Sequence, residues 1–156
     1  MIFDTKRGKA LKAIADRLRA MTVATGYHWD VRPGSVYTDP VNLLAISGTE
    51  APLFLVELSE NSREFLPANE LEDEFDVLIT GLVEAPGTAP DRKVIAGENL
   101  IGDVERTLCV DVTLGGQLFD LRVVHADPPL AGMGTQSKVV VLVTVRCSQH
   151  RQHGAP

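Results

Sequence analysis

The sequence is poor in aromatic residues, which make up only 5% of its 156 residues. Hydrophobic residues still make up 44%, which is enough for one hydrophobic core in a chain of this length. We therefore expect a single domain whose core is built from valine, leucine, isoleucine and alanine.

Cysteine is equally scarce, since only Cys109 and Cys147 are present. Two cysteines cannot supply the disulfide framework of a small secreted domain, so both are predicted to be buried free thiols. The longest apolar run, residues 139–145, is far shorter than the roughly 20 residues that a membrane-spanning helix needs. The first residues are charged, so no signal peptide and no membrane partner are predicted.

Positive charge is in deficit, because the formal net charge is -6. Nonspecific binding of nucleic acid or of an acidic membrane across the whole surface is therefore disfavoured. The charges are also segregated, with basic residues concentrated in residues 1–20 and acidic residues in residues 57–76. The usual interpretation is two solvated faces, and the alternative is that the basic end of one copy meets the acidic block of another. The candidate interface residues are Lys6, Arg7, Lys9, Lys12, Glu70, Glu72, Asp73 and Glu74.

The most regular segment is residues 75–84, which predicts a half-buried strand with period two. Its core-facing residues are Phe75, Val77, Ile79 and Val83. Gly81 leaves one position on this face empty, which predicts either a bulge or a closely packed backbone there.

Two amphipathic helices are predicted from apolar residues at helical spacing. The first covers residues 1–24 and ends at Gly26, with an apolar stripe of Leu11, Ile14, Leu18 and Met21. The second follows a proline- and glycine-rich turn, with Thr88 as its cap and Pro90 in its first turn. Its apolar stripe is Val94, Ile101, Val104 and Leu108.

Further strands are predicted at residues 27–31, 35–38, 52–58, 119–125 and 138–147, with loops at residues 59–74 and 126–136. Few connections are long enough for parallel crossovers. We therefore predict an α+β fold with a mainly antiparallel sheet and two principal helices packed on one face. Residues 1–148 would form this single domain, and residues 149–156 a polar tail. The residues predicted to share one core are Leu11, Ile14, Leu18, Val77, Ile79, Ile101, Val104, Leu108, Val141 and Val143.

Histidine and aspartate lie two residues apart in two places, His28 with Asp30 and His125 with Asp127. Either pair could act in acid–base chemistry, but no serine or cysteine lies in a recognisable nucleophile motif. His125 shares the alternation of an apolar strand and is predicted to lie at the edge of the core. His150 and His153 lie in the polar tail, which offers no rigid frame for a metal site. We therefore predict no catalytic residue, cofactor or metal.

The order of these features along the chain is similar to the order found in a known protein family. A basic helix ends at Gly26-Tyr27, and Trp29-Asp30-Val31 follows it; an apolar strand begins at Pro52, and an acidic loop leads into residues 75–79. A later helix spans residues 100–108 around Asp103, and a strand closes the chain. This layout resembles the tail terminator, or tail completion, proteins of long-tailed bacteriophages and phage-derived particles. The best local matches are the Gly26-Tyr27-x-x-Asp30-Val31 run and the Asp103 helix.

The resemblance implies a subunit that forms a hexameric ring on the head-proximal end of the tail tube. Such a ring stops tube growth and presents a surface to the head connector. The implied partners are other copies of the chain, the tail tube protein and the head connector or stopper protein, while genome DNA passes through the lumen without specific binding. The implied location is the tail–neck region of the virion, and the host cytoplasm during assembly. Other head–tail joining proteins, a small intracellular hydrolase using His28 or His125, and a monomeric binding module are the alternatives.

Overall fold

The computed structural model describes residues 5–43, 52–59, 63–65, 71–116, 118, 120–131 and 137–151. The helices in this part are α1 (Lys6–Arg19) and α2 (Arg92–Cys109). The strands are β1 (Val36–Tyr37), β2 (Leu53–Leu58), β3 (Arg63–Phe65), β4 (Leu71–Glu84), β5 (Asp120–Ala126), β6 (Leu130–Ala131) and β7 (Lys138–Arg151).

The sheet is organised around β4 and β7, which pair antiparallel over all 14 residues of each strand. β2 and β3 pair with the other edge of β4, and β5 and β6 pair with the other edge of β7. Among the described strands only β1 adds in parallel, on the far side of β2, so the strand order is β1-β2-β4-β7-β5. The predicted α+β fold with a mainly antiparallel sheet is confirmed.

The main core lies on the face of the sheet that the two helices cover. The four predicted core residues of β4 are at most 1% exposed, and the odd-numbered residues of β7 from Val139 to Cys147 face the same core. The pairing of β4 with β7 has no register shift. The odd-numbered residues of both strands therefore face the same side of the sheet along the whole pair. All ten residues predicted to share a core belong to this one cluster.

At Gly81 the helix α2 packs closely on the sheet. A Cβ atom at this position would lie 2.8 Å from Val141 Cγ2 and 3.1 Å from both Leu100 Cδ2 and Phe54 Cε1. The continuous register excludes a bulge here, so close packing is the correct one of the two predicted explanations.

The first helix begins later and ends earlier than predicted, since it spans Lys6–Arg19 and not residues 1–24. Thr5 caps it by accepting a hydrogen bond from the Gly8 N–H at 2.9 Å, and the helix ends at Arg19. Thr22 then starts a separate turn of 3-10 helix, and it is this turn that Gly26 ends with a φ of 96°. The side chain of Thr22 competes with the helix for backbone donors, which explains the early end. The predicted apolar stripe of α1 is nevertheless buried.

The start of α2 also differs from the prediction. Asp91 is the N-cap residue, so Thr88 does not cap the helix and Pro90 precedes it. Val94 is 57% exposed rather than buried. The buried stripe is centred on Ala96, Leu100, Val104 and Leu108, and Val94 lies at the border of that stripe.

Several strand limits need correction. Residues 27–31 do not form a strand, and only Val36–Tyr37 of the predicted strand 35–38 is extended. The acidic segment predicted as a loop at residues 59–74 contributes β3 and the first residues of β4, while β6 lies within the predicted loop 126–136. β7 continues through Arg151 and so includes the first three residues of the segment predicted as a polar tail.

Val104 and Val94 provide a matched pair for testing the helix register. Val104→Ala should lower the free energy of unfolding by about 1–3 kcal/mol, because it leaves a cavity at a position with no exposure. Val94→Ala should change it by less than about 0.5 kcal/mol, since the side chain already faces solvent. Urea denaturation of both variants measures the difference, and equal losses would contradict the packing of α2.

Candidate functional site

The second face of the sheet carries the even-numbered residues of β4 and β7, and both described helices lie on the opposite face. At its centre the side chains of Leu78, Thr80, Val140, Leu142 and Thr144 are half-buried. Leucine, valine and threonine at partial exposure form a broad, weakly polar surface. We call these five residues the open face.

A second, smaller core lies beside the open face. Leu43, Leu53, Leu55 and Leu82 are buried together there, with Tyr37, Val41 and Val140 packed against them. β2 is therefore covered on both faces from Leu53 to Val56, as its doubly apolar sequence predicts. A groove with a volume of about 210 Å³ remains between residues 41–43 and the sheet. Its lining is Val41, Asn42, Leu43, Leu55, Thr80, Leu82 and Val140.

The opposite end of the same face carries a cross-strand ion pair. Arg146 donates from Nε to Asp76 Oδ1 at 3.0 Å and from Nη2 to Asp76 Oδ2 at 3.4 Å. Asp76 is only 6% exposed, so the guanidinium compensates a carboxylate that has lost most of its water. The hydrogen bonds and charge of Asp76 raise the pKa of Arg146. This pair makes the end of the face away from the groove polar.

The basic start of α1 lies close to the acidic start of β4 within the same chain. The guanidinium of Arg7 stands 5.8 Å from the ring centroid of Phe75, which is fully buried. Glu74, the residue before Phe75, is half-buried. Glu72 and Asp73 belong to β4 and Lys6 to α1, while Glu70 lies outside the described residues.

The two other predicted interface lysines differ in their surroundings. Lys12 donates to Asp16 at 2.6 Å, four residues along α1, and Arg19 donates to the same carboxylate at 2.9 Å. Burial acts to raise the pKa of Asp16, but the hydrogen bonds and charges of these two cations outweigh it and lower the pKa. Lys9 is exposed. Lys12 is therefore already occupied within its own helix, and Lys9 is the better candidate for a contact with another copy.

Residues 26–29 are held against α2 by a buried carboxylate. Asp103 is 1% exposed and accepts hydrogen bonds from the backbone N–H groups of His28 at 2.9 Å and Trp29 at 3.2 Å. Its other oxygen lies 2.7 Å from His28 Nδ1. The predicted pair of His28 with Asp30 is therefore wrong, because Asp30 accepts instead from the Val23 N–H at 2.6 Å.

Arg106, on the same helix, holds the start of this loop. It donates to the Gly26 carbonyl at 2.6 Å, and its guanidinium lies 5.1 Å from the Tyr27 ring centroid. Neither Asp103 nor Arg106 is among the predicted site residues. The available signal was an aspartate on the buried stripe of an amphipathic helix, since a charged group in that position needs partners.

His125 and the two cysteines lie outside this loop. His125 is paired with Asp127 as predicted, at 2.5 Å, but its side chain is 65% exposed and does not lie at the edge of the core. Both cysteines are free: Cys147 is buried, which raises the pKa of its thiol to about 12, whereas Cys109 is exposed, contrary to prediction. Among the described residues, no group of three His, Cys, Asp or Glu side chains could hold a metal ion.

Comparison with known proteins gives a likeness in structure. No family model and no curated protein matches the chain. Among solved structures, the chain is similar to a chain in the virion of a native gene transfer agent (GTA) particle, with 14% sequence identity and a TM-score of 0.46. That match covers 90% of this chain and 94% of the other. In the part of the chain that the structure describes, no helix is long and apolar enough to cross a membrane.

Removing the Asp103 carboxylate should release the loop at residues 26–29. Asp103→Ala leaves the His28 and Trp29 N–H groups without their acceptor, so we expect a loss of about 1–3 kcal/mol in the free energy of unfolding. His28→Ala should cost less, because its side chain is 56% exposed and the two backbone bonds remain. Urea denaturation gives the energies, and limited proteolysis reports cleavage within the loop. Equal effects of the two variants would show that the imidazole contact, and not the backbone bonds, anchors the loop.

Asp111 should contribute to acid sensitivity. Hydrogen bonds from the Thr113 side chain and from the Gly115 and Thr113 N–H groups lower its pKa from 3.8 to about 2. A lowered pKa means that the contribution is complete above about pH 5 and is lost as the pH falls toward about 2. Asp111→Asn removes this ionisation, so its urea midpoint should fall less than that of the wild type across this range. Parallel pH profiles of the two proteins would contradict the assignment.

Proposed function

We propose that the chain is a structural protein of a phage-like virion that assembles into a ring, and that the ring is a tail terminator. It would cap the head-proximal end of the tail tube, stop tube growth and join the tube to the head connector. The layout of the sequence suggested this role. The structural observation that carries it is the open face, because a broad surface of half-buried leucine, valine and threonine is suited to burial against another protein.

Ring formation requires two different patches on each copy that fit together. The two layers of this domain offer such patches, since the helices form one side and the open face forms the other. The segregated charges support the same arrangement, although Arg7 and Phe75 show that the basic and acidic segments also adjoin within one chain. Exposed ion pairs contribute at most about 1 kcal/mol each, so apolar surface would supply most of the binding.

The proposal predicts a ring that binds one end of the tail tube. Negative-stain images of the purified protein should show closed rings with a central hole, most frequently six-membered. Added to growing tail tubes, the protein should occupy one end and halt elongation. Binding to the head connector without any effect on tube length would instead indicate a stopper or head-completion protein. Tubes that elongate normally in the presence of the folded protein would contradict the tail-terminator role.

The predicted charge contact has a matched control within the chain. Lys9→Glu should reduce binding between copies at low salt, and the further change Glu74→Lys should restore it if the two positions meet across an interface. Arg32→Glu reverses an equally exposed charge outside both charged segments and should leave assembly unchanged. If Lys9→Glu assembles like the wild type, the charged segments are solvated faces and the interface lies elsewhere.

A further inference from the structure

The first turn of α2 exposes two adjacent branched aliphatic side chains. Val94 is 57% exposed and Ile95 is 49% exposed, although α2 packs on the sheet through Ala96 and Leu100, which are buried. Two neighbouring aliphatic side chains in solvent form a small projecting apolar surface. We call Val94 and Ile95 the α2 knob.

The charges beside the α2 knob are unusual for the start of a helix. A helix N-terminus carries partial positive charge and favours acidic residues in its first turn. The first turn of α2 contains no acidic residue, its N-cap Asp91 makes no side-chain capping bond, and its first two residues are Arg92 and Lys93. Carboxylates supplied from outside the helix would therefore be stabilised here.

The groove on the open-face side has matching properties. A cavity of about 150 Å³ lined by aliphatic side chains can hold a benzene molecule, so the groove, at about 210 Å³, can hold an aliphatic side chain such as isoleucine. Glu57 and Glu84 lie two residues beyond the lining residues Leu55 and Leu82, and strand alternation places them on the same face. Because β2 and β4 run antiparallel, the two glutamates lie at opposite ends of the groove. The cross-strand partner of Glu84 in β7 is Lys138. The cross-strand partner of Glu57 in β4 is the uncharged Leu78. Glu57 is therefore the carboxylate that has no basic partner on β4.

We propose that the α2 knob of one copy inserts into the groove of a second copy. The apolar side chains would fill the groove, and Glu57, beside Leu55 at one end of the groove, would face the positive start of α2. The knob belongs to the helical layer and the groove to the opposite face of the sheet, so each copy uses a different patch toward each neighbour. Such a contact is head to tail and closes into a ring when the rotation between copies permits. This inference rests on the proposed ring and assigns the surfaces that build it.

Two single substitutions test the contact from its two sides. Ile95→Glu disables the α2 knob at a helix start that tolerates an acid, and Thr80→Glu disables the groove at a half-buried position of the open face. Each variant alone should lose ring formation and remain monomeric by light scattering. A mixture should form only dimers, because one partner keeps an intact knob and the other keeps an intact groove. Val110→Glu, at an exposed position (69%) beyond the other end of α2, should assemble like the wild type.

A crosslinking measurement covers the case in which a glutamate variant does not fold. In a Cys109→Ser background, copies with Ile95→Cys are mixed with copies carrying Thr80→Cys and oxidised. Crosslinks are expected between the two kinds of copy and not between copies of the Ile95→Cys variant. Rings that persist in either glutamate variant, absence of the mixed crosslink, or a wild type that stays monomeric at every concentration would overturn the contact. Capping of tail tubes by the wild type is a separate readout, so the proposed function can stand or fail independently.

Discussion

The rest of this structure depends on the register between β4 and β7. A slip of one residue would exchange the two faces along all 14 paired positions. The observed register places Phe75, Val77 and Ile79 in the helix-covered core with the odd-numbered valines of β7. It also places the ion pair of Asp76 with Arg146, together with the leucines and threonines, on the other face. The core, the open face and the groove are thus consequences of one pairing.

A buried carboxylate is the second constraint. Asp103 lies on the apolar side of α2, where an unpaired charge would be strongly unfavourable. Its oxygens accept from two backbone N–H groups and contact an imidazole nitrogen, all three groups coming from His28 and Trp29. These bonds occupy the donors that a strand would need, which is why residues 27–31 form an anchored loop. The run from Gly26 to Val31 and the helix around Asp103, which are far apart in the sequence, meet at this point.

The two-layer arrangement bears directly on assembly. An apolar knob on the helical layer and an apolar groove on the opposite face cannot meet within one chain, so in the proposed ring each would contact a neighbouring copy. Histidine chemistry is less well supported by the same geometry. The carboxylate beside His28 is largely engaged with the backbone, so its burial is explained by loop anchoring without reference to a reaction.

Some features of this protein follow from the sequence alone, because they depend on local periodicity. Alternation in residues 75–83 and 139–147 determined which side chains face the core, and the spacing of Leu11, Ile14 and Leu18 determined the buried side of α1. Composition likewise indicated an aliphatic core. Only the tertiary structure decided which distant residues meet. His28 and Asp103 are 75 residues apart, Arg7 reaches Phe75 across the fold, and the groove joins residues from β2, β4, β7 and the segment 41–43. The exposure of Val94 belongs to the same class, because helical spacing places it on the same side as the buried Ile101. The exposure of Ile95 and Cys109 follows from helical spacing instead, since both lie on the side of α2 away from Leu100. Periodicity assigns a face to each residue, but the surface that covers that face comes from other parts of the chain.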